Sequence, residues 1–315
     1  KAQLEKFHQK LAGLRFLDPA CGCGNFLVIT YRELRLLELE VLKVKLKGQQ
    51  ATDVQHFVNL DVDRFYGIEI EEFPAQIAQV ALWLTDHQMN MAVSAAVGNY
   101  MARIPLGQSA TVAHADALQL PWESLLKTAE RYDYILGNPP FVGSKLMSAD
   151  MRADIERVFA GVKGAGTLDF VCGWYALAAR YMNAHPDTRT ALVSTNSICQ
   201  GEQVGILWGH LLGQGMHIRF AHQTFRWNNE ARGVAAVHCV IIGFGASATV
   251  EKRLYRYAEP KAEPVEERVR NISPYLVEGS DFVLRNRSTP ICAVPEMMKG
   301  SQPTDDGNLI LNAVE

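Results

Sequence analysis

Near its start the chain passes from a short apolar strand, Leu14 to Leu17, through the loop Asp18-Pro19-Ala20-Cys21-Gly22-Cys23-Gly24-Asn25-Phe26 into a helical pattern that runs from Leu27 to about Lys47 and stops at Gly48. A strand that turns through glycines directly into a helix predicts an α/β fold, with the helix laid back on a parallel sheet. The glycines let the backbone approach a ligand closely, and the helix N-terminus faces that ligand, which is how a nucleotide-like cofactor is held. The competing reading of Gly22 and Gly24 is a tight structural turn. Gly22-Cys23-Gly24 lacks the third glycine of a dinucleotide fingerprint, which counts against NAD.

The alternation continues along the chain. Phe65-Tyr66-Gly67-Ile68-Glu69-Ile70 reads as a second strand ending in an acid. A carboxylate at that tip can accept both ribose hydroxyl hydrogens. Glu71 and Glu72 compete with Glu69 for the role, and a solvated strand-end acid is the alternative. The spacing from the first loop exceeds the usual ~20 residues, so an insertion over Gln49 to Asp63 is expected. Pro74 opens an amphipathic helix through about Gln88. Ala110 to His114 is a third strand, followed by Asp116-Ala117. A carboxylate there can accept from the amino group of an adenine ring, or simply cap a turn. A short helix near Pro121 to Ala129 leads to a fourth strand, Tyr132 to Gly137.

That strand ends in Asn138-Pro139-Pro140-Phe141. Pro139 forces Asn138 out of the helical region and Pro140 does the same to Pro139. Neither proline has an N–H, so the segment is expected to be a rigid finger bearing an amide side chain, a free carbonyl and an aromatic ring. The Asn138 side-chain oxygen and the Pro139 carbonyl could each accept one hydrogen of an amino group on a planar ring, with Phe141 stacked on that ring. The alternative is a proline turn that closes a strand.

Further on, helices are expected at Ala149 to Phe159, Leu168 to Asn183 and Gly201 to Leu212, and strands at Thr190 to Thr195, His217 to Thr224 and Ala235 to Phe244. The last two read as an antiparallel edge hairpin. Its connection, Phe225 to Gly233, is rich in aromatic and basic side chains and suits contact with a base and a phosphate, or is an ordinary surface hairpin. Beyond Val250 six prolines punctuate the chain, and the short strands Arg253 to Tyr257 and Phe282 to Leu284 precede an extended exit.

Composition narrows the classes. The net charge is −3, and residues 215–290, with 11 basic and 8 acidic side chains, form the more basic part. No global polyanion-binding signature is present. Only Cys21 and Cys23 of the six cysteines are close, with no second pair or nearby histidine to complete a zinc site, so reduced thiols and no metal are expected. The longest apolar run, Val234 to Ala246, is too short to span a bilayer. The chain opens on Lys1 rather than Met, which reads as a fragment or processed product of a longer protein.

In their order, Asp-Pro-Ala-Cys-Gly-Cys-Gly-Asn-Phe, Gly-Ile-Glu, Asp-Ala and Asn-Pro-Pro-Phe resemble the S-adenosylmethionine-dependent DNA amino-methyltransferases. The wording of the first loop, Gly164-Ala165-Gly166-Thr167-Leu168-Asp169-Phe170 and the Trp227 to Gly233 loop are closer still to the methyltransferase part of the MmeI-like single-chain type II restriction-modification enzymes. The resemblance covers about residues 14–245. It implies an adenine-N6 methylase of cytoplasmic location with a Rossmann-like methyltransferase fold. That fold is a mostly parallel seven-stranded sheet with an antiparallel edge hairpin and helices on both faces, over residues 1–250. Residues 251–315 would be a proline-punctuated extension towards a target-recognition region.

By the same resemblance, Asp18, Ala20, Gly22, Gly24, Asn25, Phe26, Glu69, Ile70, Asp116 and Ala117 hold S-adenosylmethionine, while Asn138, Pro139, Pro140 and Phe141 carry the chemistry. Phe225, Arg226, Trp227 and Arg232 are the candidate contacts to a base or to DNA, and the partner is double-stranded DNA with a flipped adenine. The family usually has a further cofactor segment upstream, a nuclease and a target-recognition region; only 13 residues precede the first strand, and neither of the other parts is found in this sequence. The competing functions are methylation of a glutamine amide or of RNA with the same finger, and a non-catalytic cofactor-binding scaffold, with a nicotinamide enzyme behind them.

Overall fold

The structure is a computed structural model that describes residues 2–46, 57–97, 109–227, 237–285, 287, 289 and 292–294. In chain order its elements are α1 (Ala2–Gly13), β1 (Phe16–Asp18), α2 (Asn25–Lys45), β2 (Phe65–Glu69), α3 (Glu72–Val97), β3 (Thr111–His114), β4 (Tyr134–Gly137), α4 (Ala149–Val158), α5 (Cys172–Ala184), β5 (Arg189–Thr195), α6 (Gly201–Gly213), β6 (His217–Trp227), β7 (Val237–Gly245), β8 (Lys252–Arg256) and β9 (Val265–Val269). The strands form one sheet in the order β3-β2-β1-β4-β5-β7-β6-β8-β9. The first five positions pair parallel, and β7 runs antiparallel to both β5 and β6.

The period-2 alternation of the strands sorts the core into two layers. Phe16, Phe65, Tyr134 and Leu136 face one side, where they meet Leu27 and Tyr31 of α2 and Ala78 and Leu82 of α3. Leu17, Tyr66, Ile68, Ile135 and Leu192 face the other, against α4, α5 and α6. The expected helices on both faces are therefore present. α2 starts on Gly24, whose φ of +86° is left-handed, and no side chain caps its first turn. A side chain at Gly24 would also collide with Ala78 of α3.

Three expectations are corrected. The sheet has nine strands among the described residues, not seven. The hairpin β6–β7 lies inside the sheet rather than at its edge, because β8 pairs parallel with β6 and β9 antiparallel with β8. Of the two short strands expected past Val250, Arg253 to Tyr257 is present as β8, while Phe282 to Leu284 is not a strand and β9 is an addition. β9 is hard to read because Val-Glu-Glu-Arg-Val at an outer edge buries only Val269. Cross-strand ion pairs hold it instead, with Arg256 Nε 2.6 Å from Glu267 Oε2 and Arg268 Nη1 3.1 Å from Glu251 Oε1.

Smaller differences affect the site. The Pro121 to Ala129 region is only a 3-10 turn, Trp122–Leu125, and α5 begins at Cys172, which leaves Leu168 to Val171 outside the helix. After β9 the chain crosses back over the molecule. Gln223 Nε2 donates to the Leu276 carbonyl at 2.7 Å, Leu284 N donates to Tyr275 Oη at 2.8 Å, and the Leu284 carbonyl lies directly over Gly205 of α6. No helix among the described residues is long and apolar enough to cross a membrane.

Candidate active site

β1 lies between β2 and β4, so the order of the sheet reverses there and a crevice opens beyond the carboxyl ends of these strands. The loop after β1 is built from two unusual glycines. Gly22 has φ +53° with open space where a side chain would sit, and its N–H donates to Glu69 Oε2 at 2.8 Å. Glu69 Oε1 accepts from Glu71 N at 3.0 Å, so the carboxylate at the tip of β2 pins both its own turn and the glycine loop. Below them Asp18 is 1% exposed and accepts from Ala20 N at 3.0 Å. Burial, reinforced by the neighbouring charge of Glu69, pushes its carboxyl up to about 7, against the opposing Ala20 N–H. Gly137 makes room for Asp18: a Cβ there would land on the carboxyl group.

The crevice is a cavity of about 680 Å³. Its wall includes Pro19, Ala20, Ile68, Glu69, Ile70, Ala115, Asp116, Ala117, Asn138 and Pro140 from the strand ends, with Ser148, Asp150, Met151 and Asp154 of the α4 region and Phe170 and Trp174 of the α5 region. Glu69, Asp116, Asp150 and Asp154 place four carboxylates on this wall, Asp154 paired with Arg157, and among the described residues no Lys, Arg or His lines it. Asp116 accepts from Leu118 N at 2.8 Å and from Gln119 Nε2 at 2.9 Å, an aspartate turn that fixes its carboxylate at the rim. Among the described residues no cluster of His, Cys, Asp and Glu could hold a metal.

At the end of β4 the side-chain oxygen of Asn138 is buried and has no hydrogen-bond partner among the described residues. Leaving a buried acceptor unpaired costs about 1–3 kcal/mol, so this atom awaits a donor. The finger it starts is firmly tied down. Phe170 N donates to the Val142 carbonyl at 2.9 Å, and Ser144 N donates to Asp169 Oδ1 at 3.2 Å. Asp169 is held in turn by Ser197 Oγ at 2.5 Å. Trp174 Nε1 donates to the Pro19 carbonyl at 2.9 Å, and Phe170 packs edge-on against Trp174, with ring centroids 5.2 Å apart. One short segment, 169–174, therefore braces both the glycine loop and the finger.

A family model described as MmeI, DNA-methyltransferase domain, matches residues 1–256. This chain belongs to that family. The structure of the type IIL restriction-modification enzyme MmeI in complex with DNA matches it with a TM-score of 0.92 at 55% identity, over 98% of this chain and 41% of the MmeI chain. DNA methyltransferase A of Bacillus subtilis (strain 168) is 36% identical over 317 residues, or 99% of this chain and 35% of the relative. The chain thus spans well under half the length of either protein. The DrdV–DNA complex, 16% identical with a TM-score of 0.52, shares the fold alone.

In this MmeI-type domain, seven of the residues singled out from sequence reach the cavity wall: Ala20, Glu69, Ile70, Asp116, Ala117, Asn138 and Pro140. Asp18, Gly22, Gly24, Asn25, Phe26, Pro139 and Phe141 do not line it. Asp18 sits beneath the loop, Gly22 and Gly24 shape it, Pro139 is buried and Phe141 packs half-buried on the core. Phe225 and Arg226 lie on β6 away from the cavity wall, where the Phe225 ring stacks on Tyr257 at 5.4 Å. The Trp227 side chain and Arg232 fall outside the described residues. The residues that sequence reasoning missed are chiefly those of α4 and Trp174. Their signal was present only as spacing, since Phe170 and Trp174 stand four apart on the side facing the glycine loop.

Proposed function

We propose that this domain transfers a methyl group from S-adenosylmethionine to the N6 amino group of an adenine flipped out of duplex DNA, as part of a cytoplasmic restriction-modification enzyme. The observation that carries this reading is the buried, unpartnered side-chain oxygen of Asn138 in the wall of the cavity. An exocyclic amino nitrogen is a poor nucleophile because its lone pair is delocalised into the ring. Two acceptors set at its hydrogens favour a pyramidal nitrogen and free that lone pair. Asn138 and the Pro139 carbonyl would be those acceptors, preorganised by the prolines and by the brace from residues 169–174. The base has to leave the duplex to reach them. Phe141, half-buried against the core and off the cavity wall in this structure, would have to turn outward to stack on it, a contact worth roughly 1–3 kcal/mol.

The residues present fit the cofactor. Of the four carboxylates on the cavity wall, Asp154 is paired with Arg157, and Glu69, Asp116 and Asp150 have no cationic partner among the described residues, which favours a cationic ligand over a phosphorylated one. The open space at Gly22 permits close backbone approach. Each oxygen of Glu69 receives one backbone N–H and would keep a lone pair for a ribose hydroxyl, and Asp116, on the same wall, would accept from an adenine amino group. When bound, S-adenosylmethionine supplies an already activated methyl group on a sulfonium.

The test is incubation of the whole protein with duplex DNA and labelled S-adenosylmethionine, followed by digestion to nucleosides. N6-methyladenine is the expected product. Asn138→Ala should hold cofactor affinity within a few fold and lower the rate by about 10²–10³, the usual loss for one preorganised polar contact. Label that enters cytosine, RNA or protein instead would move the finger to another substrate, and an undiminished rate in the variant would reduce Asn138 to a turn residue.

A further inference from the structure

We propose that Leu146 is a wedge that enters the base stack of duplex DNA where the target base has left it, with Lys145 beside it on the phosphate backbone. This inference rests on the reading of the site given above. The segment concerned joins the Asn138 finger to α4, and its two ends, Pro140 and Ser148, both line the cavity. Leu146 lies two residues before Ser148, in the turn that joins these two parts of the wall. It is 82% exposed, and among the described large apolar side chains only Val250, at 98%, is barer. Its neighbour Met147 is 7% exposed, so the chain at this point sends one apolar side chain into the core and the next into water.

Exposure on a loose loop would mean little, but this mount is rigid. Ser144–Leu146 is a single 3-10 turn, closed by Leu146 N donating to the Gly143 carbonyl at 2.8 Å. The buried carboxylate of Asp169 accepts from Ser144 N, and the hydroxyls of Ser197 and Thr195 donate to its other oxygen. Phe170 N holds the Val142 carbonyl. Lys145 is exposed and has no carboxylate partner among the described residues. A rigid, bare leucine next to a free ammonium has the chemistry of a side chain that fills an opened base step while a phosphate is neutralised alongside. The relative that is 55% identical was solved in complex with DNA, which is the occupant this chemistry fits.

The test uses the whole protein and two duplexes that carry its target adenine, one fully paired and one with an abasic site opposite that adenine, which leaves it unpaired and cheaper to flip. A third duplex with 2-aminopurine at the target reports flipping by its emission. Leu146→Ala should lose most of the emission rise and about tenfold in kcat/KM on the paired duplex, the scale of an unfilled base step. On the abasic duplex it should return to within about threefold of wild type, as expected where no base pair remains to be broken. Leu146→Met should behave as wild type throughout. Equal losses on both duplexes would show that Leu146 is covered by another part of the protein or is merely structural, and no loss on either would remove it from flipping; either result overturns the proposal while leaving the methylation reading intact. Wild-type protein that methylates no adenine would fail that reading first and take this inference with it.

Discussion

Asp18 and Gly137 meet end to end where the two halves of the site join, and only the absence of a side chain at Gly137 lets the carboxyl fit. Burial holds that carboxyl at about 7, so it is protonated in the folded chain under mildly acidic conditions. From its ordinary value of 3.8 up to about 7, the unfolded chain has released the proton that the folded chain keeps. Stability therefore falls as pH rises through that window and levels off above it. Asp18→Asn keeps an acceptor for Ala20 N and cannot ionise. It should remove the fall, which is worth at most ~4 kcal/mol for a shift of this size. Urea titrations at pH 5 and pH 8 measure it, and identical slopes for the two proteins would mean that Asp18 is ionised in the fold. At this scale the sequence displayed Asn138, Glu69 and Asp116 openly, because strand ends followed by prolines or acids announce themselves. It did not separate residues that touch the cavity from those that shape it. Asp18 and Ala20 are two positions apart in one motif, yet one is beneath the loop and the other on the wall, a distinction set by the packing of Gly137 on the adjacent strand.

Among the elements, α2 was legible to within about two residues at each end, but what it buries was not. Leu27, Tyr31, Arg35, Glu38 and Leu42 share one face at helical spacing, and the two charged members are as buried as the leucines. Arg35 reaches α3 through Asp86 at 2.8 Å and Asn90 at 2.8 Å, while Tyr31 Oη donates to Asp86 at 2.6 Å. Glu38 accepts from Asn59 N and Leu60 N at 2.7 and 2.9 Å and pairs with His8 of α1 at 2.8 Å. Its other oxygen stands 3.2 Å from Arg35 Nε, a charge contact without hydrogen-bond alignment. One carboxylate thus ties together α1, α2 and the approach to β2. Glu38→Ala removes one of the two carboxylates beside the buried Arg35, leaving it Asp86, and strands the three donors of Glu38 Oε1; it should cost about 3–5 kcal/mol by denaturant titration, in the range for breaking a buried ion pair. A loss under 1 kcal/mol would show that water or a rearranged Asp86 takes over, since surface pairs are worth no more than that. The spacing of these charges was in the sequence; their partners, more than 20 residues away, were not.

For the molecule as a whole, the expected change of character at Val250 marks a shift in composition and not the end of the packed structure. Leu254, Val269, Ile272 and Leu276 are buried in the same cluster as Trp208 and Phe244. Each such side chain stabilises by roughly 1.5–3 kcal/mol. Cutting the chain after Val250 should therefore abolish cooperative unfolding or lower stability by more than ~5 kcal/mol. Circular dichroism melts of the shortened and whole chains compare the two, and an unchanged midpoint would show that the outer strands are dispensable. The return of the chain from β9 to α6 carries a different kind of consequence. With the Leu284 carbonyl seated over Gly205, the outer strands are fastened at both ends: by the sheet at β6, and by this strap to the helix that begins just past the Ser197 hydroxyl holding Asp169. A tug applied to the chain beyond residue 285 would reach α6 before it reached β9. Any neighbour joined there would pull on the frame of the finger, giving a load at that end mechanical leverage over Asn138, the residue proposed to hold the base.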